Sequence, residues 1–159
     1  MYAIDRDDRI EELKTLPQQS VGAPLPVVLA DDGGMVLAYL SEFDDDKVAI
    51  VEFDHVRAHY FGPPNDEALS GHPLHPRGLS GYGAYEVHNS SWIRALERMN
   101  RVHPNHRPTM YSGLRHFIFT FHDTTFECIA KGIRRFDLVP YIDRASLVGE
   151  MKHRLDRTR

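Results

Sequence analysis

Ten histidines in 159 residues, with no terminal run of them, are the side chains of this sequence best able to do chemistry. Neutral imidazole is a common ligand of transition metals and titrates nearest neutrality. The pairs His72-Pro-Leu-His75 and His103-Pro-Asn-His106 share an HxxH spacing that would set both rings on one face of a helix. Their prolines place them in loops instead, where that spacing loses most of its geometric meaning, so they read as surface histidines. A second group lies where Phe117, Phe119 and Phe121 alternate with His116, Ile118, Thr120 and His122. There His116, His122, Asp123 and Glu127 would share the polar side of a hairpin. Two imidazoles and one or two carboxylates suit a two-histidine, one-carboxylate metal site or a general acid–base pair. The simpler reading, which the alternation favours, is the solvated face of an antiparallel sheet. A third stripe, His55, Arg57 and His59, alternates with Val56, Ala58 and Tyr60, and would meet the second if the two strands were neighbours.

The candidates sort by role. Catalytic work would fall to His116, His122, Asp123 and Glu127, and ligand contact to His55, Arg57, His59, His72 and His75. Metal ligation would draw on His72, His75, His116, His122 and Glu127. No motif establishes a cofactor, and a divalent transition metal is the one this donor set would hold. Cys128 is the only cysteine and shares its face with Phe119 and Phe126, so it reads as a buried, inert thiol. Asp44-Asp45-Asp46 lacks the spacing, the glycine and the distal glutamate of a calcium loop, and reads as a solvated hairpin turn. GxxxxGK[ST], HExxH and GxSxG are all absent.

These side chains must be positioned by an α+β fold. Asp5 or Asp7 would cap a short helix with Ile10, Leu13 and Leu16 at a spacing of three and Pro17 as its stop. A β-meander is expected over 26–61, then a loop over 62–81 dense in glycine, proline and histidine, then a short strand at 82–87. The Asn89-Ser90-Ser91 cap predicts a helix over about 91–100 with Trp92, Ile93, Leu96 and Met99 on one face. A hairpin over 114–133, its turn centred on Asp123-Thr124, would set Phe121 opposite Phe126, Phe119 opposite Cys128 and Thr120 opposite Glu127. A last helix over about 143–157 would set Leu147, Val148, Met151 and Leu155 on one side. The whole is expected to be one domain, a twisted antiparallel sheet with helices packed on its aromatic face.

Composition bounds the rest. With 42% hydrophobic and 26% charged residues the chain is of ordinary globular make-up, neither collagenous nor largely disordered. No apolar run reaches the length of a membrane span and the first residues carry acids where a signal peptide has bases, so the expected location is cytoplasmic. Residues 1–67 hold 15 acids and 5 bases (−10) and residues 68–159 hold 8 and 14 (+6), which together give the net −4. Because the bases are scattered and form no run, the halves are expected to neutralise each other across one domain, and nucleic acid is not an expected partner. The reading that remains is a binding or regulatory module for a protein or small ligand, a homo-oligomer being left open. Its rival is a small histidine-dependent, metal-assisted hydrolase-like enzyme.

Overall fold

Strands whose apolar residues run on without alternation need cover on both faces. Met35–Ser41 and the stretch 47–53 are of this kind, and their setting is a two-sheet sandwich. The computed structural model describes residues 2–42 and 44–157; the side chains of Asp44 and Asp45 also lie outside the described residues. In chain order the described strands are β1 (Arg9–Glu12), β2 (Val27–Ala30), β3 (Met35–Ser41), β4 (Asp44–Asp54), β5 (Ala58–Gly62), β6 (Ala84–His88), β7 (Arg115–Thr120), β8 (Thr125–Ala130) and β9 (Gly132–Pro140). Helix α1 (Ser91–Asn100) follows β6 and α2 (Arg144–Asp156) follows β9. The strands form two antiparallel sheets, ordered β1-β6-β7-β8-β5 and β2-β3-β4-β9. None of the helices is long and apolar enough to cross a membrane among the described residues.

The α+β class with antiparallel pairing is as expected; the placement of its layers is not. Phe117, Phe119, Phe121 and Phe126 meet Met35, Leu37, Tyr39, Val51 and Phe53 of the second sheet, so a sheet rather than helices covers the aromatic face. The Phe53 ring lies 5.6–6.1 Å from those of Phe117, Phe119 and Phe126, in tilted and edge-to-face contacts. Helix α2 packs Leu147, Met151 and Leu155 on the outer face of the four-stranded sheet. The outer face of the five-stranded sheet is covered by the 62–81 loop, whose Leu69, Leu74 and Leu79 bury against Tyr85, Val87 and Ile118. That loop is ordered, with single 3-10 turns at Leu69–Gly71 and His75–Arg77.

Three expectations are corrected. Residues 9–12 are an edge strand paired with β6, not a helix: Ile10 packs toward the outer layer while Leu13 and Leu16 pack toward the inner core, so adjoining layers override the three-residue spacing. Asp44-Asp45-Asp46 is backbone of β4 rather than a turn. The hairpin is closed by the Phe121 N–H donating to the Thr124 carbonyl (2.9 Å), which centres its turn on His122-Asp123. Its register shifts by two, giving Phe119 opposite Phe126, Phe117 opposite Cys128 and Ile118 opposite Glu127. An even shift leaves every side chain on its expected face. The charge halves interleave as expected, through Arg134–Asp54 (2.9 Å) and Arg154–Glu52 (3.1 Å) among others.

Candidate functional site

The polar side of the hairpin is buried, not solvated: His116 is 0% and Glu127 1% exposed. Covering it are the 62–81 loop, α1 and the N-terminal segment. The Asp8 carboxylate pins that segment to the first turn of α1 by accepting the Ser91 N–H (2.7 Å) and the Asp5 N–H (2.9 Å). Tyr2 then stacks on Trp92, ring centroids 5.2 Å apart, and both rings stand edge-on to His116.

At the centre the Glu127 carboxylate takes three donors. Tyr2 O–H donates to Oε2 (2.8 Å), His116 Nε2 lies 2.9 Å from Oε2, and His72 Nε2 lies 3.1 Å from Oε1. The His72 tautomer follows from its other nitrogen. Nδ1 accepts the Leu74 backbone N–H (3.1 Å), so the ring proton sits on Nε2 and points at the carboxylate. His116 presents Nδ1 to the Ser90 hydroxyl (2.9 Å), and that hydroxyl also accepts the Ile93 N–H as the cap of α1. Burial alone would raise the Glu127 carboxyl, but the bonds from His116 and His72 outweigh it and hold the group down at about 2. Burial and the adjacent carboxylate push the Tyr2 phenol well above its ordinary range. Glu127 is thus an ionised carboxylate held inside the fold, touched by no lysine or arginine among the described residues.

Glu127 also closes the floor of an open, mainly apolar pocket of about 350 Å3. Its walls are Tyr2, Trp92, Ala95, Leu96 and Met99 on one side and His59 and Tyr60 of β5 on the other. Tyr60 stands directly opposite Glu127 in the β5–β8 ladder.

Of the remaining candidates His59 shares the pocket wall, and the others lie elsewhere. His59 stands opposite Cys128, so it and Tyr60 take alternate faces and Tyr60 is the one level with the carboxylate. His55 and Arg57 are exposed in the connection before β5, where His55 pairs with Asp54 (2.7 Å). His75 is exposed. His122, 46% exposed, meets Asp66 (3.0 Å) and Tyr82 (2.9 Å) near the hairpin turn, and Asp123 faces solvent. Bonds from Tyr82 and His122 hold the Asp66 carboxyl below its usual range, and the bond to Asp66 pushes the Tyr82 phenol up to about 12. This surface group fastens the 62–81 loop to the hairpin. His122→Ala is therefore expected to lower the thermal midpoint by no more than about 3 °C, checked by calorimetry, because half-exposed pairs contribute little.

The five metal candidates do not gather, since His75 and His122 stand apart from His72, His116 and Glu127. Among the described residues no group of three or more His, Cys, Asp or Glu side chains is arranged to hold a metal ion. Cys128 is fully buried, and burial raises its thiol well above the ordinary value, in keeping with an inert role. Tyr2, Ser90 and Trp92 belong to the site without having stood out as functional in the sequence: Ser90 and Trp92 had complete readings as a cap and an apolar helix position, and Tyr2 carries no local signal. Comparison with protein-family models, with curated proteins and with solved structures gives no match.

Proposed function

We propose that this protein is a binding module for a small organic cation, an ammonium group carried on an apolar or aromatic body, which enters the pocket between α1 and β5 with its charge toward Glu127. The observation that carries the reading is a buried carboxylate that takes three donors, and is touched by no lysine or arginine among the described residues, at the floor of an apolar, aromatic-walled pocket. A pocket of about 350 Å3 suits a small molecule. Tyr2, Trp92 and Tyr60 supply ring faces and edges of the kind that attract cations, and such attraction strengthens where water is excluded. One lone pair of Glu127 Oε1 is left over after His72, and an ammonium N–H can use it. A small ligand is favoured over a protein docked on the 62–81 loop because that loop lies down on the sheet, its leucines buried.

Trp92 is the only tryptophan, so its fluorescence reports this pocket alone. Titration with benzylamine is expected to give a saturable change, with benzyl alcohol and benzoate weaker by about tenfold or more, a difference of about 1.4 kcal/mol. Leu96→Arg, which fills the pocket with a tethered cation and leaves the donors around Glu127 untouched, is expected to abolish the response. Equal affinity for alcohol and amine, an unchanged Leu96→Arg variant, or no saturable response to any probe would overturn the proposal.

A further inference from the structure

Strand β9 closes one edge of the four-stranded sheet and, at nine residues, is longer than the edge strands β1, β2 and β5 with four, four and five. The Tyr141 N–H donates to the Asp46 carbonyl (2.6 Å). Stepping along the register by twos from that pair, residues 139, 137 and 135 bond to β4, and the backbone N–H and C=O of Phe136 and Leu138 point away from it. None of the other backbone bonds among the described residues takes up these groups. Their side chains are 41% and 48% exposed and line an open slot of about 590 Å3 between β9 and the segment 15–19. Exposed edges are normally blunted by bulges, prolines or inward charges. Here the register shift opposite Glu52/Phe53 and the terminal Pro140 interrupt only the ends, leaving 135–139 in one unbroken register.

We propose that this edge pairs with the same edge of a second copy of the chain, antiparallel, with Phe136 on the two-fold axis. With the axis at Leu138, Phe136 would meet Pro140, which has no N–H to donate, so the free backbone groups leave two central registers. In one, Asp137 would face its own copy, and directly opposed like charges are unfavourable. In the other, Phe136 faces Phe136 of the second copy, and Arg135 faces Asp137 twice over. Arg135 already reaches Asp137 along its own strand (2.8 Å), so the four charges would alternate around the axis. That charge match, together with a self-complementary spacing of free backbone groups, selects a second copy over an unrelated extended peptide.

Sedimentation of the whole chain is expected to show a mass rising with concentration from 18.3 kDa toward twice that value, and Arg135→Glu is expected to weaken the association at least tenfold. Under mild oxidation Phe136→Cys should cross-link to itself, because directly opposed residues of a bonded antiparallel pair lie about 5.5 Å apart, within disulfide reach. Leu138→Cys, opposite residue 134 of the second copy, should not cross-link alone but should do so when mixed with Arg134→Cys. Cys128 is buried and should stay silent. A mass of one chain at every concentration, or cross-linking at 138 as readily as at 136, would overturn the proposal.

Discussion

Replacing Glu127 by alanine is expected to destabilise the protein by about 3–5 kcal/mol, because the donors of Tyr2, His72 and His116 lose their shared acceptor and each buried polar group left unmade costs about 1–3 kcal/mol. Water entering from the pocket offsets part of that sum. Glu127→Gln tests the geometry more finely. A single amide oxygen can serve Tyr2 and His116, but the amide N–H2 then meets the Nε2–H of His72. Moving the His72 proton to Nδ1 would break the bond from Leu74, so the conflict persists and a loss of about 2 kcal/mol is expected. The pH dependence has a definite sign. The folded carboxyl lies at about 2 against an ordinary 4.5, so its contribution is fully present above about 4.5 and is lost as pH falls toward 2. That depression corresponds to about 3 kcal/mol. Urea unfolding of wild type and Glu127→Gln should therefore show a gap that is wide near neutrality and closes on acidification through that window. A gap independent of pH would mean that the Glu127 carboxyl titrates in the fold as it does in the unfolded chain, and a gap that widens on acidification would mean that it is held neutral inside.

Arg154→Met is expected to cost about 3–5 kcal/mol, near 10 °C in thermal midpoint for a chain of this size. Arg154 reaches from α2 to Glu52 (3.1 Å) and Asp137 (2.6 Å) on the sheet and to Glu150 (2.7 Å) on its own helix, and both Arg154 and Glu52 are buried. Without the guanidinium, Glu52 is a buried carboxylate that has lost its one ion pair among the described residues. The double variant Glu52→Leu/Arg154→Met should recover most of the loss, since apolar replacement of a buried ion pair is often neutral or better. Denaturant midpoints of the two single variants and the double variant would separate the cost of an orphaned charge from that of lost helix packing. A double variant no more stable than Arg154→Met would place the loss in packing.

The alternation of three phenylalanines with polar residues was enough to put His116, Thr120 and Glu127 on one face, because side-chain parity in a strand survives a register shift of two. It was not enough to say what covered that face. Solvated polar stripes and buried polar networks share the same period, and they differ only in what packs over them. Here the cover comes from residues 2, 72 and 90–92, far away in sequence. Of His72 and His75, the spacing gave no way to see that the first turns in toward Glu127 while the second stays in solvent. The cap of α1 was legible within Asn89-Ser90-Ser91 because a hydroxyl accepting an N–H three residues on is a local interaction. By contrast β1 is fixed by the free edge of β6, and its three-residue apolar spacing pointed to a helix for want of that information. Strand β9 carried the alternating signal of Phe136 and Leu138, but adjoining arginines obscured it.

The most direct measurement is carbon-13 NMR of the Glu127 side-chain carboxyl, followed through a pH titration with and without benzylamine. The expected result is a carboxylate shift that holds down to about pH 2 and moves saturably when the amine is added at neutral pH. A carboxyl that titrates at or above 4.5, or one that is indifferent to the amine while Trp92 responds, would contradict the account of Glu127 as the charged floor of the site.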